Sequence, residues 1–125
     1  MTASNTAQAA YTRPELTTKT PRATEYELLA RATRKLIVSD TNQKHDFQAF
    51  ADALHTNRIL WTNLAAFVAD EGNALPKKLR AQIFYLAEFT AHQTRKVFKG
   101  EADVKVLIDV NSSVMEGLCP GVQAE

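Results

Sequence analysis

Asn57-Arg58-Ile59-Leu60-Trp61-Thr62-Asn63-Leu64-Ala65-Ala66-Phe67-Val68-Ala69-Asp70-Glu71-Gly72-Asn73-Ala74-Leu75-Pro76-Lys77-Lys78-Leu79-Arg80 is the stretch whose reading decides the fold. Leu54, Trp61, Leu64, Ala65 and Val68 recur at three- and four-residue steps, so the sole tryptophan sits on an amphipathic helix. Gly72-Asn73 reads as the stop of that helix, and Pro76 as the start of the next. Two long helices meeting at so short a corner must pack side by side. The fold class expected is therefore all-α, a small bundle of amphipathic helices.

Working outward, the same helix extends back through Phe47, Phe50 and Ala51 to a start near Asp46. It is roughly 25 residues long, or about 38 Å at 1.5 Å per residue. Thr20-Pro21 opens an earlier helix, with Thr20 as N-cap and Pro21 at the first helical position. Tyr26, Leu29, Ala30, Thr33, Leu36 and Ile37 fall on its apolar face. Ser39 to Lys44 reads as a polar turn. A third helix runs from Pro76 to about Lys99, with Leu79, Ile83, Leu86, Ala87 and Val97 as its stripe. Phe84, Tyr85, Phe89 and Phe98 widen that apolar region beyond one face. Such a helix is either central in the bundle or shows a face to a partner. A fourth runs from about Ala102 to Glu116, with Gly117 as its stop. No alternating β-branched pattern calls for a sheet. Residues 1–19 lack periodicity and are expected to be a flexible N-terminal arm, residues 20–118 the bundle, and residues 119–125 a frayed tail.

Composition bounds the function. The 125 residues suit one domain, with 45% apolar and 23% charged residues. A net charge of +1 does not favour a polyanionic partner. The single cysteine, Cys119, allows no internal disulfide. The first ten residues lack the basic and apolar regions of a secretory signal, and no apolar run nears the roughly 20 residues that span a bilayer. A cytoplasmic location without membrane contact is expected.

Catalytic chemistry is not signalled. The four glycines are isolated, so no phosphate-cradling loop is present. His45, His55 and His92 have no helical metal-ligand spacing. Asp70-Glu71 lies at a helix corner, where capping or solvation accounts for it, and Cys119 has no activating neighbour in sequence. Hence no enzyme activity, cofactor or metal is expected. Asn57 and Asn111 interrupt apolar seams. Each either fixes helix register or bonds a partner peptide in a groove. Trp61 reads as core, with an indole N–H that needs an acceptor. The basic groups at Arg31/Arg34/Lys35, Lys77/Lys78/Arg80 and Arg95/Lys96/Lys99 have no interleaved aromatics, so direct nucleic-acid binding is not expected. Lys77, Lys78 and Arg80 crowd a helix N-terminus, where the dipole prefers anions, and so suggest an acidic partner segment.

Four pieces together resemble the FlaF family of flagellar biosynthesis regulators. They are the quoted stretch continuing to Ala81-Gln82-Ile83, Tyr11 ahead of Thr20-Pro21-Arg22 and Glu25, Leu107-Ile108-Asp109-Val110-Asn111, and Val114-Met115-Glu116-Gly117-Leu118. The resemblance implies an all-helical cytoplasmic factor that binds flagellin monomers as a secretion chaperone and promotes their synthesis and export. It also implies a possible partner, FlbT, which restrains flagellin translation. The alternative it leaves open is a post-transcriptional regulator of flagellin messenger RNA, acting with or against FlbT. A fainter similarity joins Ala10-Tyr11 and Thr18-Lys19-Thr20-Pro21 to the FliS flagellin chaperones, with Thr at position 20 where that family has Ser. The partner-binding candidates are Tyr11, Asn57, Trp61 and Asn111 with the corner residues Asn73, Leu75 and Arg80. To these are added the aromatics Phe84, Tyr85, Phe89 and Phe98.

Overall fold

A computed structural model describes residues 21–118. The expected arm at residues 1–19, with Tyr11, the N-cap Thr20 and the tail from Cys119, lies outside the described residues. Four helices follow one another: α1 (Pro21–Thr41), α2 (Phe47–Ala69), α3 (Lys77–Phe98) and α4 (Lys105–Leu118). No strand occurs among the described residues. α2 packs on α1 and α3, and α4 packs on the same two, so α1/α3 and α2/α4 are the diagonals of the bundle.

Direction alternates from helix to helix. Leu29 early in α1, Val68 late in α2, Leu79 early in α3 and Leu118 late in α4 share one apolar cluster. Leu36, Phe50, Val97 and Val104 share a second cluster at the other end. This is an up-down-up-down bundle, the arrangement that short corners impose.

The corners differ from the expected ones in their physical cause. α2 ends at Ala69, before Gly72, and Gly72 does not take a left-handed conformation. Side chains stop the helix instead. Asp70 Oδ1 accepts from Gly72 N–H (3.1 Å), and Asn73 Oδ1 accepts from Leu75 N–H (2.8 Å). Asn73 Nδ2 donates to the Phe67 carbonyl (3.0 Å), and Arg80 Nε donates to the Val68 carbonyl (3.3 Å). Two carbonyls at the end of α2 are thereby satisfied.

The left-handed glycine is Gly100, at φ 78° after α3. Gly100 N–H reaches the Val97 carbonyl (3.0 Å) and Glu101 N–H the Lys96 carbonyl (2.8 Å), the paired bonds of a Schellman stop. Gly117 is no stop, because α4 continues to Leu118. A Cβ at Gly117 would come within 3.1 Å of Leu79 Cδ1, so the glycine instead permits close packing of α4 on α3. α1 also runs to Thr41, beyond the expected turn at Ser39. α2 starts where expected, and Asp46 caps it, accepting from Ala49 N–H at 3.0 Å.

Candidate functional site

Two distinct arrangements emerge from the candidate residues, one inside the bundle and one on its surface.

The interior one is a polar layer between the two apolar clusters. Every helix contributes: Thr33 from α1, Asn57 from α2, Thr90 and Thr94 from α3, and Asn111 from α4, all buried. Trp61 Nε1–H donates to Asn111 Oδ1 (2.8 Å). Asn111 Nδ2 donates to Asn57 Oδ1 (2.8 Å) and to Thr33 Oγ1 (3.1 Å). Thr33 in turn donates to its own helix at the Leu29 carbonyl (2.6 Å). The orientation of both amides follows from the tryptophan. An indole nitrogen only donates, so Asn111 must turn its oxygen toward Trp61 and its NH₂ toward Asn57. Asn57 must then present its oxygen. Its own Nδ2 is left without a hydrogen-bond partner among the described residues. The Trp61–Asn111 and Asn111–Asn57 bonds cross the α2/α4 diagonal, where the backbones do not meet.

Asn57 and Asn111 are 0% exposed and Trp61 is 2% exposed. Their place as partner-binding candidates is therefore corrected: a client cannot reach amides sealed between four helices. The register-fixing reading is the one their geometry supports. Leu75 is also buried and joins the first apolar cluster, while Asn73 is spent on the corner.

The exterior arrangement lies along α3. Phe84 and Tyr85 are 53% and 70% exposed, and Phe89 is half-buried. With Ala81 and with Val68 at the end of α2, they floor an open groove of about 1060 Å³. Lys77 and Arg80 stand at one end and Arg95 at the other, with Glu88 and His92 between. From Lys77 to Arg95 the groove follows α3 for about 27 Å. Phe98 does not belong to it. Its ring packs against Phe47 at the C-terminal end of α3, with centroids 6.1 Å apart, and Phe47 packs on Phe50.

Steps of three and four from Tyr85 reach Ala81, Glu88 and His92, so the groove's full length was written in the helical spacing. The sequence reading missed that length because His92 and Arg95 belong to no apolar stripe. It also missed Thr90 and Thr94, which occupy the core face of α3. Their hydroxyls donate to the Ala87 and Thr90 carbonyls of their own helix (3.0 and 2.6 Å), which lets polar residues be buried there.

Among the described residues, no group of three or more His, Cys, Asp or Glu gathers as for a metal ion. No described helix is long and apolar enough to cross a membrane. Residues 7–118 match the family model described as flagellar protein FlaF. No match is found among curated proteins or among solved structures.

Proposed function

The chain belongs to the FlaF family of flagellar proteins and has a role in flagellum biogenesis; on that premise we propose that it is a non-enzymatic, cytoplasmic chaperone that binds monomeric flagellin. The observation that carries this reading is the aromatic groove of α3. Phe84 and Tyr85 extend into solvent beside the half-buried Phe89, on a helix whose core face is already occupied by Leu79, Ile83, Thr90, Thr94 and Val97.

Contiguous exposed aromatics of this kind mark a surface that is covered part of the time. Burying a large apolar side chain contributes about 1.5–3 kcal/mol, so these anchors supply part of the affinity, and the cost of ordering a client segment keeps the complex reversible. Reversibility suits a protein that must release its client for export. FlbT is a second proposed partner, and no residue is assigned to it.

The test is calorimetry of the purified protein with nuclease-treated flagellin monomer. Binding with a negative heat-capacity change is expected, and the variant F84D/Y85D should lose it while keeping its helical circular dichroism. Absence of flagellin binding, together with RNA binding that falls steeply with salt, would replace this reading by the post-transcriptional one.

A further inference from the structure

The groove selects its occupant by charge as well as by apolarity. α3 carries five basic residues, Lys77, Lys78, Arg80, Arg95 and Lys96, against the single acid Glu88. The whole chain is nearly balanced, with 15 basic and 14 acidic residues. Three of the cations, Lys77, Arg80 and Arg95, stand at the two ends of the groove. Among the described residues the ion pair shown is Lys105–Asp109 on α4, and none neutralises these three. The first turn of α3 has no acidic residue, and Pro76 at its N-cap supplies no side-chain cap.

The shape also restricts the occupant. The groove is a stripe at three- and four-residue spacing on one helix, flanked by the end of another. It presents side chains rather than a row of backbone donors and acceptors. An extended peptide would leave its own backbone unpaired against it, whereas a helix satisfies its backbone internally and packs ridge against groove. A second copy of this chain is disfavoured, since two α3 faces laid antiparallel would set Lys77 and Arg80 beside the other copy's Arg95.

We infer that the α3 groove accepts an amphipathic helix of about 18 residues from another protein, bearing an apolar stripe with acidic residues at both ends. The inference rests on the chaperone reading and narrows it to a class of client segment.

Two labelled 20-residue helical peptides with one identical Leu/Phe stripe test it, one with Glu at both ends and one with Lys there. Anisotropy with the full chain should show the Glu peptide binding at least 10-fold tighter at 50 mM salt, with the gap narrowing at 500 mM. The variant K77E/R95E, checked for unchanged helicity, should invert the order. Arg80 is left intact because it also bonds the end of α2.

Equal binding of the two peptides, failure of both, or a preference unmoved by K77E/R95E overturns the inference. So does displacement of the Glu peptide by a 20-residue uridylate RNA that binds more tightly, which would assign the cations to nucleic acid. Flagellin binding that F84D/Y85D abolishes, combined with no charge preference, would sink this inference alone. A clear preference for the Glu peptide without any flagellin binding would sink only the flagellin reading.

Discussion

Asn111 is the residue on which the interior polar layer depends, because it serves three partners at once: Trp61, Asn57 and Thr33. Replacing it by Leu leaves the Trp61 N–H and the Asn57 oxygen buried without partners, each at a cost of about 1–3 kcal/mol. Asn111→Leu should therefore lower the unfolding free energy by about 2–6 kcal/mol in urea titration. Asn57→Leu should cost less, since Asn111 Nδ2 keeps Thr33 and an unpartnered amide group disappears with Asn57. The reverse order would contradict the assigned amide orientations. Glu25 offers a second residue-level prediction. Partial burial raises its carboxyl above the ordinary value of 4.5. Above the raised native value Glu25 is ionised in both folded and unfolded chains, and its full desolvation cost is present. As pH falls through that value toward 4.5, the native state takes up the proton first and its stability rises relative to neutral pH. Glu25→Gln should abolish this contribution, seen as a flatter stability profile in that window.

At the scale of elements, the two glycine corners make opposite predictions. Gly100 sits at φ 78°, where a Cβ is strained, so Gly100→Ala should cost about 1–2 kcal/mol and fray the end of α3. Gly72 has no such φ, and the nearest atom to an added Cβ is Asp70 Oδ1 at 3.8 Å. Gly72→Ala should leave the melting temperature almost unchanged. The α2–α3 corner depends instead on Asn73, which holds the Phe67 carbonyl and the Leu75 N–H at once. Asn73→Ala should destabilise by about 0.5–2 kcal/mol, the range of a lost cap, in thermal or chemical unfolding.

For the whole molecule, each chain segment crosses the polar layer and contributes to both apolar clusters. α1 does so through Leu29 and Leu36, α2 through Leu64 and Leu54, α3 through Ile83 and Val97, and α4 through Val114 and Leu107. No half of the bundle has a set of helices to itself. Leu64→Ala in one cluster and Leu54→Ala in the other should each cost about 2–5 kcal/mol and shift one shared transition. Two separate transitions in calorimetry would show instead that the layer uncouples the ends.

The helical periodicity, the helix start near Asp46 and the Pro76 start determined by themselves that this chain is a bundle of four amphipathic helices with short corners. Local spacing and capping chemistry act within a few residues, so they are readable along the chain. The surplus of Phe84, Tyr85, Phe89 and Phe98 over one core stripe was readable in the same way, but it left open whether α3 is central in the bundle or shows a face to a partner. What tertiary structure alone decided is which side of the bundle each ambiguous residue meets. Asn57 and Asn111 carried signals both for register and for recognition, and only the assembly of all four helices, with side chains reaching across the α2/α4 diagonal, made them partners of each other and of Trp61. Phe98 and Phe84 look alike on one helix, yet neighbouring elements give one a ring from α2 and leave the other in the groove. Gly72 and Gly100 likewise differ not in residue type but in backbone angle. That angle is set at one corner by Asp70 and Asn73 side chains and at the other by the returning main chain.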